Sequence, residues 1–133
     1  MINPISVSVS GLQAASKKAE VTANNIVNAD TVGSRDPNSP QQAYKPQTVQ
    51  NLSVEGGGVR AVSLDRQPSF VPSYSPDSPF ADEEGLINAP NVNLDEELIN
   101  LKLAENAYKA NTVALKTGIE MADTLREALD TKS

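Results

Sequence analysis

Few kinds of side chain in this sequence are able to do chemistry. It holds 17 aspartates and glutamates, 11 lysines and arginines and 3 tyrosines, with no histidine, cysteine or tryptophan. That composition removes imidazole bases, thiol nucleophiles, disulfides, zinc fingers and iron–sulfur ligation. Carboxylates paired as acid and base remain. They stand in two runs, Asp82-Glu83-Glu84 and Asp95-Glu96-Glu97. The first lacks the ligand spacing of a calcium-binding EF-hand and reads as a solvated acidic turn. The second falls at a helix start, where dipole and solvent account for it. Gly56-Gly57-Gly58 has the composition of a phosphate cradle, but Val59-Arg60 follows where Gly-Lys-Ser/Thr is needed. The glycines therefore read as a turn. Asn51-Leu52-Ser53 matches a glycosylation sequon, a pattern common by chance. The residues predict no catalytic site, no metal and no cofactor, and a protein that is not an enzyme.

Proline decides which elements are available to position these groups. Eight of the nine prolines lie between Pro37 and Pro90, and the other is Pro4. Proline costs about 3 kcal/mol inside a helix, so long helices are allowed only at the two ends. Asn3-Pro4 is a good N-cap and N1 pair. The stretch Ile5-Ser6-Val7-Ser8-Val9-Ser10 alternates like a strand, but Ile5, Val9, Leu12, Ser16, Ala19, Ala23 and Ile26 keep a 4–3 helical spacing, with only Ser16 polar, that outweighs it. The spacing predicts a helix from about 4 to 28. Asn93, with Glu96 three residues on, predicts the start of a second helix that runs to about Leu129. Its stripe is Leu94, Leu98, Leu101, Tyr108, Leu115, Ile119, Ala122 and Leu129, interrupted at Glu105, Thr112 and Arg126. At ~1.5 Å per residue that helix is roughly 55 Å long, which suits a rod or coiled coil.

The middle reads as extended, with a β-hairpin around the glycines within 44–66, a polar loop at 34–43 and a Pro-rich connector at 67–90. The expected fold is mainly α: two antiparallel terminal helices from which the small hairpin projects. The 133 residues divide into 1–33, 34–90 and 91–133. The net charge is −6, and residues 77–97 hold seven acids and no base. An acidic chain is poorly suited to nucleic acid or an anionic membrane. No apolar run approaches the ~20 residues that span a bilayer. The start lacks a basic region followed by a continuous apolar one, so a cleaved Sec signal is not expected. The two stripes are the predicted assembly seam of a chain that packs on copies of itself. A small soluble helical-hairpin adaptor or chaperone-like binding module is the alternative.

Ser10-Gly11-Leu12-Gln13-Ala14 followed by Ala23-Asn24-Asn25-Ile26-Val27-Asn28-Ala29-Asp30-Thr31 resembles the N-terminal signature of bacterial flagellar axial proteins. Ala104-Glu105-Asn106-Ala107-Tyr108-Lys109-Ala110-Asn111 is similar to their C-terminal segment. Ser75 to Asp82 and Gly85 to Asn93 resemble the proximal-rod branch of the basal-body rod family. The matching motif residues are Asn24, Asn25, Asn28, Pro90, Asn91, Val92, Tyr108 and Asn111. The resemblance implies that the two helices form an antiparallel coiled coil at the axial core of a helical tube, with the β element outside. It implies copies of the chain and other rod proteins as partners, type III export, and a torque-transmitting role in a rod that crosses the periplasm. Direct membrane insertion is not expected.

Overall fold

A computed structural model describes residues 2–131. Helix α1 spans Pro4–Val27, strands β1 Gln47–Ser53, β2 Val59–Asp65, β3 Phe70–Tyr74 and β4 Leu86–Pro90 follow, and helix α2 spans Leu94–Asp130. Each helix starts where its cap stands. The Asn3 side chain accepts from the Ile5 N–H at 3.0 Å, with Pro4 at the first turn. The Asn93 side chain accepts from Asp95 and Glu96 N–H at 3.1 and 3.3 Å. The serines of the alternating stretch do not pull it into a strand. Ser8 Oγ donates to Pro4 O at 2.8 Å and Ser10 Oγ to Val7 O at 2.7 Å, so the hydroxyls are satisfied by their own helix.

The helices run antiparallel. Asn25 meets Glu97, Gly11 meets Asn111, and Gly118 meets Ile5. β1 and β2 pair antiparallel, with Gln47 opposite Asp65 and Ser53 opposite Val59. Gly56, Gly57 and Gly58 close that hairpin with φ of +89°, +103° and +92°, a region L side chains avoid. The hairpin does not project as expected; it lies along α1. The Val59 N–H donates to Ser10 Oγ at 3.1 Å, and a Cβ on Gly58 would stand 2.5 Å from that oxygen.

A second correction concerns 67–90, which is a hairpin rather than a connector. β3 and β4 pair antiparallel from Phe70 opposite Pro90 to Tyr74 opposite Leu86. Proline is tolerated because of where it falls. Pro72 faces Asn88, and Asn88 turns its own N–H and C=O the other way, to Gly33, at 3.0 Å each. The position opposite therefore needs no donor. Gly33 is itself crowded: a Cβ there would lie 2.1 Å from the backbone N of Ala43. Gly33→Ala must move backbone, and we expect a cost of about 1–3 kcal/mol, read as a lower urea midpoint with an unchanged slope.

The apolar core is thin. Its buried residues are Ala14, Ala15, Val21, Ala43, Ile87 and Ala104. Among the described residues, no helix is long and apolar enough to cross a membrane.

Candidate assembly surface

Small and polar residues form the contact between the helices. From α2, Glu97, Ala104, Asn111 and Gly118 stand seven residues apart, and from α1 the buried positions include Ser8, Ala15, Thr22 and Asn25. Such residues let the axes approach closely. A Cβ on Gly11 would sit 2.2 Å from Asn111 Oδ1.

A buried polar lock ties one end of the pair to the rest of the chain. Asn25 and Glu97 are each 1% exposed. Asn25 Nδ2 donates to Gln47 O at 2.8 Å and to Glu97 Oε2 at 3.2 Å. Asn25 Oδ1 accepts from Tyr44 OH and from Gln47 N–H, both at 3.0 Å. Arg66 Nη2 donates to Glu97 Oε1 at 2.5 Å, and its Nη1 to Asn91 O at 3.2 Å. Burial, then the negative charge of Glu97, raises the Tyr44 phenol above its usual range. Among the described residues, every buried side-chain nitrogen and oxygen has a partner. Glu97 thus departs from the expected solvated run: it is buried because Arg66 reaches it. Nothing local in the sequence signals this pair, which is 31 residues apart.

The stripe residues lie elsewhere. Ile5, Leu12, Ala19, Ile26, Leu101 and Leu115 are partly covered, and Val9, Ala23, Leu94, Leu98, Tyr108, Ile119 and Ala122 are exposed. Leu98 is 55% exposed and Tyr108 49%. None is among the buried residues. On α1 the stripe stands roughly a third of a turn from the buried face, by the 3.6-residue repeat. Ala15, Ser16 and Ala19 on α1 and Leu101, Ala104 and Tyr108 on α2 line one open groove that no strand residue enters. The hairpin borders a second groove, with Val7, Ser10, Ala14, Leu103 and Ala107. The two stripes therefore meet on the face of the helical pair turned away from the hairpin. At the groove's edge, Glu105 is held by Lys109 and by Lys102, the latter at 2.9 Å. The hydrogen bond from Lys109, then that from Lys102, draws its carboxyl down to about 2.

The motif residues are fasteners. Asn28 ends α1, its side chain donating to Asn24 O at 3.0 Å and accepting from Thr31 Oγ1 at 3.2 Å. Asn91 donates from Nδ2 to Pro68 O at 2.8 Å and from its backbone to Ser69 O at 2.9 Å. Pro90 is buried at the end of β4, and Val92 N–H returns to Pro90 O at 2.9 Å. Asn111 faces Gly11, whereas Tyr108 belongs to the exposed stripe. Asn24 contributes its carbonyl.

The acidic turn is built rather than loose. Asp82 Oδ1 accepts from Glu84 and Leu86 N–H at 2.9 Å each, and Arg35 Nη1 donates to Oδ2 at 2.7 Å. The Leu86 N–H, followed by Arg35, holds the Asp82 carboxyl below its usual range. A lowered folded-state value means the turn is stabilised above the ordinary carboxylate range and loses this as pH falls through the lowered value. We expect a carboxyl-carbon NMR titration to place Asp82 below the ordinary aspartate value, and Arg35→Ala to bring it back toward that value.

Comparison with known proteins bears on the same residues. A family model described as flagella basal body rod protein matches residues 5–34, and one described as flagellar basal body rod FlgEFG protein C-terminal matches 83–127. The flagellar basal-body rod protein FlgC of Salmonella typhimurium is 34% identical over 123 residues, which is 88% of this chain and 89% of that protein. FlgC of Yersinia enterocolitica is 32% identical over 121 residues, with the same coverage. FlgC of Agrobacterium fabrum is 32% identical over 114 residues, 80% of this chain and 79% of that protein.

Proposed function

Because the chain belongs to the flagellar basal-body rod protein family, we propose that it builds the proximal rod by packing its helical pairs side by side through the apolar face turned away from the hairpin. It is a structural subunit of the flagellar basal-body rod, and its family assembles with other rod and basal-body proteins. Ile5, Val9, Leu12, Ala19, Ala23 and Ile26, with Leu94, Leu98, Leu101, Tyr108, Leu115, Ile119 and Ala122, are the seam of that packing. Asn24, Asn25, Asn28, Pro90, Asn91, Val92 and Asn111 shape the subunit that presents it. In this reading the chain does no catalysis, leaves the cytoplasm through the type III export apparatus, crosses the periplasm as part of the rod and carries torque.

One observation carries the reading. The chain exposes 9057 Å², against about 6,700 Å² for a compact monomer of its mass. Large apolar side chains contribute to that surface, among them Val9, Leu94, Leu98, Tyr108 and Ile119 of the stripes, because the contact within the pair consumes small and polar residues and leaves them over. A chain that keeps its larger apolar side chains outside is shaped to bury them against neighbours. Gene deletion with complementation tests this. Loss of basal-body rods and of motility, both restored by the complementing gene, is expected. Normal flagella in the deletion strain overturn the function.

A further inference from the structure

The last third of α2 lies beyond α1. Gly118 meets Ile5 and Pro4 near the start of α1, and every residue from Ile119 to Thr131 is exposed. This free end is about 18 Å of helix. Leu125 and Leu129 on it are each 62% exposed. Leu125 continues the seven-residue series of Glu97, Ala104, Asn111 and Gly118 that faces α1. The contact face of α2 thus becomes more apolar where α1 has ended.

Charge divides α2 at the same place. Residues 102–116 carry Lys102, Lys109 and Lys116 with one acid, Glu105. Residues 119–131 carry Glu120, Asp123, Glu127 and Asp130 with one base, Arg126. The basic stretch borders the groove lined by Ala15, Ser16, Ala19, Leu101 and Tyr108; Lys109 and Glu105 are part of its wall, and the single carboxylate of Glu105 is shared by Lys102 and Lys109, which leaves the cluster net positive. The α1 stripe from Val9 to Ile26 runs about 25 Å, long enough to receive the free end.

We propose that the free end of α2 in one copy lies in the groove between α1 and α2 of the next copy, with its acidic flank beside Lys102 and Lys109. The proposal rests on the rod reading, which is what brings copies into contact. Donor and acceptor are different parts of the surface, so the contact is head-to-tail. It propagates from copy to copy instead of closing as a twofold pair. Opposite charge fixes the direction and disfavours two free ends, or two grooves, meeting.

The chain has no cysteine, so single cysteines report cleanly. Ala19→Cys and Leu125→Cys chains are co-expressed in flagellated cells, and basal bodies are isolated and oxidised. A disulfide-linked pair containing one chain of each kind is expected, and neither variant alone yields it. Lys102→Glu with Lys109→Glu lowers the linked fraction about tenfold, and adding Glu120→Lys with Glu127→Lys to the free end restores it. That restoration separates lost attraction from lost folding. Rods that contain both cysteine variants without the mixed pair, using either Ala19→Cys or Ser16→Cys as acceptor, overturn this docking and leave the rod reading standing. Absence of the exported, cysteine-free parent chain from rods overturns the rod reading itself.

Discussion

Arg66→Leu is expected to cost about 3–5 kcal/mol, the loss typical of breaking a buried ion pair from one side. The Glu97 carboxylate, 1% exposed, would keep its bond from Asn25 Nδ2 and lose the guanidinium at 2.5 Å. Little water reaches it to take over. The loss would spread, because the Arg66 guanidinium also donates to Asn91 O at 3.2 Å. One substitution thus loosens the junction of α1, α2, the first hairpin and the segment entering α2. Arg66→Leu combined with Glu97→Gln removes the stranded charge and should recover at least half of the loss. Urea melts of the purified chains read both effects. Equal stability of the parent and Arg66→Leu would show that the lock is not holding the pair together.

Leu12→Asp is expected to abolish rod assembly while the isolated chain still folds. Leu12 is only partly covered within one chain, so a carboxylate there can remain hydrated in the monomer. In a dry contact between copies it would be desolvated without a partner, at a cost of several kcal/mol. Each subunit repeats that cost, so the polymer does not form. Leu98→Asp, at a position 55% exposed in the monomer, should do the same with still less effect on folding. Leu101→Ala and Leu115→Ala act through lost burial, at ~2–5 kcal/mol for each leucine fully buried on assembly. A change at Ser39 in the polar loop should assemble normally. Motility, counts of basal bodies and the amount of exported chain separate failed assembly from failed export.

Both helices were legible in the sequence because their signals are local. Proline excluded helix from the middle, and Asn3 and Asn93 marked the starts. The glycine triplet marked the first hairpin for the same reason. The second hairpin was hidden, since Pro72 argues against a strand until Asn88 is seen to bond away from it toward Gly33. Apolar periodicity found the outward stripe and missed the face where α1 and α2 touch. That face is spelled Glu97, Ala104, Asn111 and Gly118 on α2, which carries almost no hydrophobic signal. The interruptions are all exposed and satisfied within α2: Glu105 by Lys102 and Lys109, Thr112 through its hydroxyl to Tyr108 O, and Arg126 by Asp123. The lock was illegible for another reason. Arg66 and Glu97 are brought together by the tertiary fold across 31 residues, and no spacing rule links them.

The most direct test of the central claim is thiol accessibility at the stripe in monomer and in rod. Single cysteines at Leu98 and Val9 are compared in the purified chain and in isolated basal bodies, using a water-soluble maleimide. Rapid labelling of both positions in the monomer and strong protection of both in the rod are expected. Equal labelling in the two states would mean that the apolar face stays open to water after assembly, and would contradict its role as the surface between subunits.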